Sequence, residues 1–126
     1  MKTWRVPYPK FGAGIGLARV TKIAALLGID LAAFGERSVV ITGSNGKGST
    51  AAMTAAILQQ RASGVGLFTS PHLFALNERF RIDGEDIGDA ELQRHWDRAA
   101  VAAREAGEHD ALGGFEFLFL IAAAWF

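Results

Sequence analysis

The sequence predicts an α/β fold in which a parallel sheet is flanked by helices. Two apolar segments with strand-forming residues, Ser38–Thr42 and Val65–Thr69, enclose a glycine-rich turn and a helical segment. A strand, a helix of about fourteen residues and a second strand form a βαβ unit, in which the strands are parallel and the crossover is right-handed. We expect residues 1–126 to be one partial domain of this kind.

The helices on either side of the first predicted strand have recognisable ends. A first helix is predicted over Gly16–Leu27, and Gly28 is a typical stop. The helix after the glycine-rich turn should extend to about Ala62 and end by Gly64. Apolar residues of the first helix have the spacing of one helical face at Leu17, Val20, Ala24 and Leu27.

A short hairpin and two further helices follow the second predicted strand. Phe80–Ile82 and Asp86–Ile87, on either side of Asp83–Glu85, indicate a short hairpin or an extended excursion. Asp89 is the predicted N-cap of the next helix and Gly107 its end, and the last helix should begin near Phe115. One face of the first of these helices is predicted from Leu92, Trp96, Ala99 and Ala103.

The composition is that of a globular domain. Of the 126 residues, 50% are hydrophobic and 21% are charged, and thirteen basic side chains balance thirteen acidic ones. No basic excess favours a nucleic-acid or anionic-membrane partner. The absence of cysteine excludes disulfides and fits a cytoplasmic protein.

The chain ends within an apolar run, Phe117–Phe126, which is too short to span a bilayer. Natural termini usually lie at the surface. We therefore expect the chain to be a fragment of a longer protein, with a buried helix at its end.

The glycine-rich turn, Thr42–Thr50, has the features of a phosphate-binding loop. Glycines let backbone N–H groups approach a ligand closely, and the start of the following helix adds unpaired N–H groups and a partial positive charge. Lys47 would reach the terminal phosphates, and Ser49 or Thr50 would lie near Mg²⁺. The predicted ATP-binding residues are Asn45, Gly46, Lys47, Gly48, Ser49 and Thr50.

The match to the general P-loop pattern is imperfect. Ile41 stands where that pattern has glycine, and Gly48 stands where it has Ser or Thr directly after the lysine. The alternative is a glycine-rich strand-to-helix turn without a ligand. Ser70 follows the second predicted strand, and ligands bind beyond the carboxyl ends of parallel strands. We therefore expect Ser70 and the loop to face the same crevice.

Several segments together resemble one family. Thr42–Thr50 is similar to the phosphate loop of folylpolyglutamate synthases and dihydrofolate synthases, which belong to the Mur ligase superfamily. Gly48 is the form found in this folate branch. Val65–Leu73 with Asn77–Gly84 resembles the second signature of the family, and Gly114–Phe117 its third. The resemblance implies that the chain is the N-terminal portion of a Mur-ligase-type ATPase domain.

The resemblance implies an ATP-dependent ligase that joins L-glutamate to dihydropteroate or reduced folates through an acyl phosphate. It implies ATP and Mg²⁺ as cofactors, with Ser70 as a metal ligand, and a monomeric parent protein. Ser49 is a second candidate near the metal, and Lys47 would stabilise charge on the transferred phosphoryl group. A later metal ligand and a C-terminal domain that the family uses lie outside these residues, so we expect the chain alone to be inactive.

The resemblance also implies where the pterin binds. The predicted positions are Gly14, Ile15, Gly16, Gly113, Gly114, Phe115 and Glu116. Gly14 stands where dihydrofolate synthases often have an acidic residue, and Gly113–Gly114 replace the usual Thr and aromatic residue. Glu116 lies in an apolar run, so it either has a buried partner or faces a cleft, and we favour the cleft.

Other interpretations remain open at this point. The protein could be a different Mur-superfamily ligase, a plain P-loop kinase or NTPase, or a nucleotide-binding module without ligase activity. His72 is interpreted as a loop contact rather than a catalyst. Glu78 and Arg79 are either a substrate-loop element or an ion pair that fixes this loop.

Overall fold

A computed structural model describes residues 2–126 of the chain. These residues divide into two compact units, one made of residues up to Ser38 with Ala90–Trp125, the other of Val39–Asp89 with Phe126. In chain order the elements are α1 (Leu17–Leu26), α2 (Leu31–Glu36), α3 (Lys47–Gln59), β1 (Gly66–Phe68), a 3-10 helix (Leu76–Arg79), β2 (Phe80–Ile82), β3 (Glu85–Asp86), α4 (Asp89–Glu105) and α5 (Gly114–Trp125).

The first helix lies where the sequence predicts it, with a slightly different buried face. α1 begins after Gly16 and ends at Leu26 with Leu27 as its C-cap, and Gly28 follows in the left-handed conformation with φ +74°. Leu17, which we assigned to the buried face, is 73% exposed. The buried side chains of α1 are Arg19, Val20, Ile23 and Ala24, so the buried face is rotated from the predicted one.

The short helix α2 was not predicted. Asp30 caps it, because its Oδ1 accepts a hydrogen bond of 3.0 Å from the N–H of Ala33. None of its side chains is buried. A helix of six residues lacks enough turns for apolar spacing to reveal it, so the cap is its main sequence signal.

The core of the first unit is built on α4 and α5. Both helices begin within a residue of the predicted positions, and α4 ends two residues before the predicted Gly107. Gly107 closes α4 with φ +72°, and its N–H bonds to the carbonyl of Arg104. The ring of Trp96 lies 4.9 Å from that of Phe117 and 5.1 Å from that of Trp4. Large side chains that are almost fully buried in this unit are Ile23, Leu92, Leu112, Phe117, Leu120 and Ile121.

The second unit contains a three-stranded antiparallel sheet in the order β1-β2-β3. Phe68 pairs with Phe80 at one end of the β1–β2 ladder, and Ile82 pairs with Glu85 in the predicted hairpin. The hairpin turn is Asp83–Gly84, and both residues have positive φ. Two such residues are what a tight two-residue hairpin turn requires, and Asp-Gly is a favoured pair there.

The prediction of a first strand over Ser38–Thr42 is wrong. Residues 38–42 form no strand, and among residues 2–126 the only ladders are those of the antiparallel sheet. A β-strand exists only through hydrogen bonds to a neighbour, and no described segment pairs with this one. Val39 and Val40 are consequently 72% and 84% exposed. The α/β class holds, whereas the parallel sheet stays a prediction.

In the part of the chain that the structure describes, no helix has the length and apolar character needed to cross a membrane.

Candidate functional site

The glycine-rich turn leads directly into α3. Gly46 is the N-cap and adopts the left-handed conformation with φ +74°. A residue with a side chain adopts that conformation at a cost, so glycine suits the position. The first intrahelical bond joins the N–H of Thr50 to the carbonyl of Gly46 at 2.9 Å. Among residues 2–126, no group accepts a hydrogen bond from the N–H of Lys47, Gly48 or Ser49.

These three N–H groups can bind an anion. Helix N-termini attract phosphate because their unpaired N–H groups point outward and the helix dipole is positive there. Lys47 is the first helical residue, and its side chain is exposed together with those of Asn45, Ser49 and Thr50. The turn therefore has the donors and the positive charge that a nucleotide phosphate needs.

Ser70 lies in the same unit, two residues after β1. The N–H of Thr69 bonds to the carbonyl of Arg79 at 3.1 Å, which places the start of the Ser70 loop beside the end of the 3-10 helix. Ser70 is half-buried, and its peptide bond to Pro71 is cis.

Glu78 fixes the loop that follows Ser70. Its carboxylate accepts hydrogen bonds from the backbone N–H groups of Leu73, Phe74 and Ala75, at 3.1, 2.8 and 2.6 Å. The bonds from Ala75 and Phe74 are the main cause of a pKa below the ordinary carboxylate value, and burial opposes them.

Arg79 acts on the same loop through a different residue. Its Nε donates to Nδ1 of His72 at 2.9 Å. Because a guanidinium only donates, this ring nitrogen is the acceptor and carries no proton. His72 is thus a loop contact, as interpreted from the sequence. Glu78 and Arg79 both fix the loop, but they do so separately, so the ion pair that we considered between them is wrong.

The hydroxyls of Ser49 and Ser70 are suitable for Mg²⁺. They are hard oxygen donors, and no described residue forms a hydrogen bond with either hydroxyl. Mg²⁺ in nucleotide sites commonly takes one or two protein oxygens and completes its shell with phosphates and water. No group of three or more His, Cys, Asp or Glu residues suited to a metal occurs among the described residues. The donor chemistry of the two hydroxyls is thus compatible with Mg²⁺, and their joint role as metal ligands stays a prediction.

The predicted pterin residues lie in the first unit, where Arg19 joins their two segments. Arg19 Nε and Nη2 each donate to one carboxylate oxygen of Glu116 at 2.8 Å. Its Nη1 and Nη2 also donate to the carbonyls of Ala13 and Gly14, each at 2.9 Å. The N–H of Gly113 donates to Glu116 Oε2 at 2.9 Å. The turn before α1 and the start of α5 are therefore held together.

Glycines allow these segments to approach closely. A Cβ on Gly16 would lie 1.7 Å from Glu116 Oε1, and one on Gly113 would lie 2.5 Å from the N atom of Gly12. Both distances are impossible without movement of the neighbours. The glycine at position 113, which departs from the family pattern, thus has a packing reason in this chain.

Glu116 has the buried partner that we considered less favoured than an open cleft. Burial raises its pKa, but the hydrogen bonds from Arg19 and Gly113 and the charge of Arg19 outweigh it, so the net pKa is below the ordinary value. Glu116 is 19% exposed and Arg19 only 7%. A role of Glu116 toward a pterin stays a prediction.

Other predicted pterin residues face outward. Ile15 is 96% exposed, and Phe115 and Gly14 are also exposed. Contact of these residues with a pterin stays a prediction.

Arg19 is the site residue that sequence reasoning missed. It lies on the buried face of α1, and Glu116 lies in the apolar run of α5. Each charge has an unfavourable position alone, and buried charges are normally paired. In the sequence, an acid in the apolar run of α5 and an arginine next to Val20 in α1 were visible, but neither identifies the other as its partner.

Comparison with known proteins gives relatives of one kind. A folylpolyglutamate synthase from Saccharomyces cerevisiae strain YJM789 is 42% identical over 80 residues, which are 57% of this chain and 15% of that protein. No protein-family profile matches the chain.

The structural likeness extends over almost the whole chain. The folylpolyglutamate synthetase from Lactobacillus casei is similar with a TM-score of 0.76 and 30% identity, over 96% of this chain and 30% of that one. E. coli FolC in complex with DHPP and ADP is similar with a TM-score of 0.73 and 27% identity, over 94% of this chain and 27% of that one. The resemblance stated from the sequence motifs is thereby confirmed, and this chain spans less than a third of each of these three proteins.

Proposed function

We propose that the chain is part of an ATP-dependent ligase. The reason is that it is related in sequence and fold to the N-terminal part of the folylpolyglutamate and dihydrofolate synthases. The parent enzyme adds L-glutamate to dihydropteroate or reduced folates. In this proposal the second unit of the chain binds ATP and the first unit contributes to the pterin site.

The observation that carries the proposal is the start of α3. Gly46 turns the chain into the helix in a left-handed conformation, and Lys47 follows at once with the unpaired N–H groups of the first turn. This arrangement binds phosphate through the backbone and through one lysine. Its support comes from relatives, since the FolC structure similar to this chain holds ADP.

The proposed reaction proceeds in two steps. The substrate carboxylate attacks the γ-phosphorus of ATP, forming an acyl phosphate and releasing ADP. The amine of glutamate then attacks the acyl carbon, an amide bond forms, and inorganic phosphate leaves with a proton lost from nitrogen. Phosphoryl transfer depends on positioning and charge stabilisation, which Lys47 and the N–H groups of α3 would supply. Ser70 and Ser49 would hold Mg²⁺, which neutralises phosphate charge when bound.

The chain supplies part of this machinery. It covers 27–30% of the similar solved structures, and its described residues hold no carboxylate cluster for a metal. We therefore propose that glutamate binding and the remaining metal ligands belong to other parts of the enzyme. The chain alone should form no glutamate-linked product from ATP, glutamate and dihydropteroate.

Calorimetry of ATP binding with and without Lys47 tests the proposal. We expect Lys47→Ala to weaken ATP binding about 10- to 100-fold, because a charged hydrogen bond to phosphate is lost. Chelation of Mg²⁺ should weaken binding by the wild-type chain as well. Lys22→Ala is the matched control, since Lys22 is an exposed lysine of α1.

Two results would oppose the proposal in different ways. Equal ATP affinity in wild type and Lys47→Ala would show that Lys47 does not bind the nucleotide, and would contradict the proposed ATP site. Nucleotide binding that depends on Lys47, combined with no binding of dihydropteroate or reduced folate, would favour a ligase for another carboxylate or a simple nucleotide-binding module.

A further inference from the structure

We propose that Arg19 is a positioning residue for the pterin site, which it assembles by joining the turn at 13–16 to the start of α5. This inference rests on the proposed function, because it assumes that these two segments contact the pterin. It adds a residue that no motif resemblance identifies, and its basis is a set of hydrogen bonds within the first unit.

One guanidinium holds both segments. Toward the turn, Arg19 donates to the carbonyls of Ala13 and Gly14 at 2.9 Å. Toward α5, it donates to both carboxylate oxygens of Glu116 at 2.8 Å. The planar fork of arginine can make all of these bonds at once, whereas a lysine ammonium is a single point donor.

Glu116 extends the connection to the residue before α5. Its Oε2 accepts from Arg19 and also from the N–H of Gly113, so the carboxylate is held from two sides. The two segments also touch through their backbones, because the N–H of Ala13 bonds to the carbonyl of Ala111 at 2.9 Å. Their relative position is thus set by Arg19 and Glu116 together with that backbone bond.

The guanidinium fits only because the residues next to it are glycines without a side chain. A Cβ on Gly12 would lie 2.4 Å from Arg19 Nη2, and a Cβ on Gly16 would lie 2.9 Å from the same atom. Arg19 is 7% exposed. An arginine that is this buried loses most of its hydration, and the four acceptor contacts replace it.

The arrangement assigns a different task to Glu116 than the one we predicted. Three donors already occupy its two oxygens. Its main contribution is to orient Arg19, and the turn that Arg19 holds then presents Gly14 and the exposed Ile15 to the ring. Loss of the guanidinium would remove its four hydrogen bonds between these segments and leave the backbone bond from Ala13 to Ala111 to hold them.

Two ligands measured on the same protein distinguish positioning from general stabilisation. Dihydropteroate reports on the segments joined by Arg19, and ATP reports on the loop at 43–50 in the other unit. We expect Arg19→Lys to weaken dihydropteroate binding at least tenfold, with ATP binding unchanged within about twofold. The isosteric variant Glu116→Gln should show the same pattern, and the control Lys22→Ala should bind both ligands normally.

The possible results separate the inference from the function on which it rests. If wild type binds ATP but not dihydropteroate, the pterin substrate is overturned and this inference with it. If wild type binds dihydropteroate and Arg19→Lys binds it equally well, the inference fails while the proposed function stands. If Arg19→Lys loses both ligands through misfolding, Glu116→Gln decides: selective loss of dihydropteroate supports positioning, and retention or loss of both ligands overturns it.

Discussion

Arg19 and Glu116, which are 97 residues apart in the sequence, form a two-pronged ion pair with both hydrogen bonds at 2.8 Å. A buried pair of this kind is costly to break, because removal of one partner leaves the other as an unpaired charge. Replacement of both partners by apolar residues can cost much less.

This contrast gives the first expected outcome. Arg19→Met should lower the free energy of unfolding, because Glu116 is left without its charged partner. The double variant Arg19→Met with Glu116→Leu should lose less than the single one, although Gly113 then lacks its acceptor. Urea denaturation of wild type, of the single variants Arg19→Met and Glu116→Leu, and of the double variant measures both effects. Additive losses, equal to the sum of the two single variants, would mean that the pair is not energetically coupled.

Gly16→Ala should be destabilising for a steric reason. The new Cβ would lie 1.7 Å from Glu116 Oε1, and that carboxylate is held in place by Arg19. We expect a loss of about 1–3 kcal/mol in the free energy of unfolding, typical of overpacking. Gly35→Ala is the control, because nothing lies within 4 Å of its Cβ and α2 should gain up to about 1 kcal/mol. Equal stability of the two variants would contradict the close approach.

Glu78→Gln should loosen the loop after Ser70. The amide cannot offer two acceptor oxygens to the N–H groups of Leu73, Phe74 and Ala75. Hydrogen exchange at these three amides should become roughly tenfold faster. The pKa of Glu78 is lowered, so in wild type their protection should persist above the ordinary value and disappear as pH falls through the lowered one. Unchanged exchange in the variant would show that other contacts hold the loop.

His95 should make the stability of the first unit depend on pH. It is buried in α4, and burial lowers its pKa; Glu91 opposes this effect, whereas the charges of Arg94 and Arg98 add to it. The unfolded chain then binds a proton near pH 6.5 while the folded chain does not. Stability should therefore fall as pH drops below about 6.5 and level off below the pKa of the folded state.

The variant His95→Leu tests this assignment. Denaturation curves between pH 7 and 5 should show a smaller slope of stability against pH than in wild type. A slope identical to that of wild type would assign the dependence to other groups.

Local patterns sufficed for the helices and the hairpin. Gly28 and Gly107 end their helices in the left-handed conformation, and Asp83–Gly84 forms the tight turn, so each of these features is encoded by neighbouring residues. The lysine and glycines of the turn before α3 were also visible in the sequence, because their spacing is local.

Features that depend on distant partners were not predictable in the same way. The residues 38–42 have strand-forming side chains, but a strand also needs a neighbour, and none of the described segments provides one. The bond between Arg19 and Glu116 links two helices from opposite ends of the chain. Apolar spacing identifies a buried face, but it does not show which charge on one face meets which charge on another.

The hydrogen bonds from the loop at 73–75 to Glu78 have a thermodynamic consequence. Leu73 and Phe74 are each 84% exposed, yet their backbone N–H groups are already fixed by the carboxylate. Flexible loops lose conformational entropy when a ligand or another protein segment orders them, and that loss weakens association. Here the loop has given up much of this freedom during folding, so a group that contacts its apolar tip meets a preorganised surface.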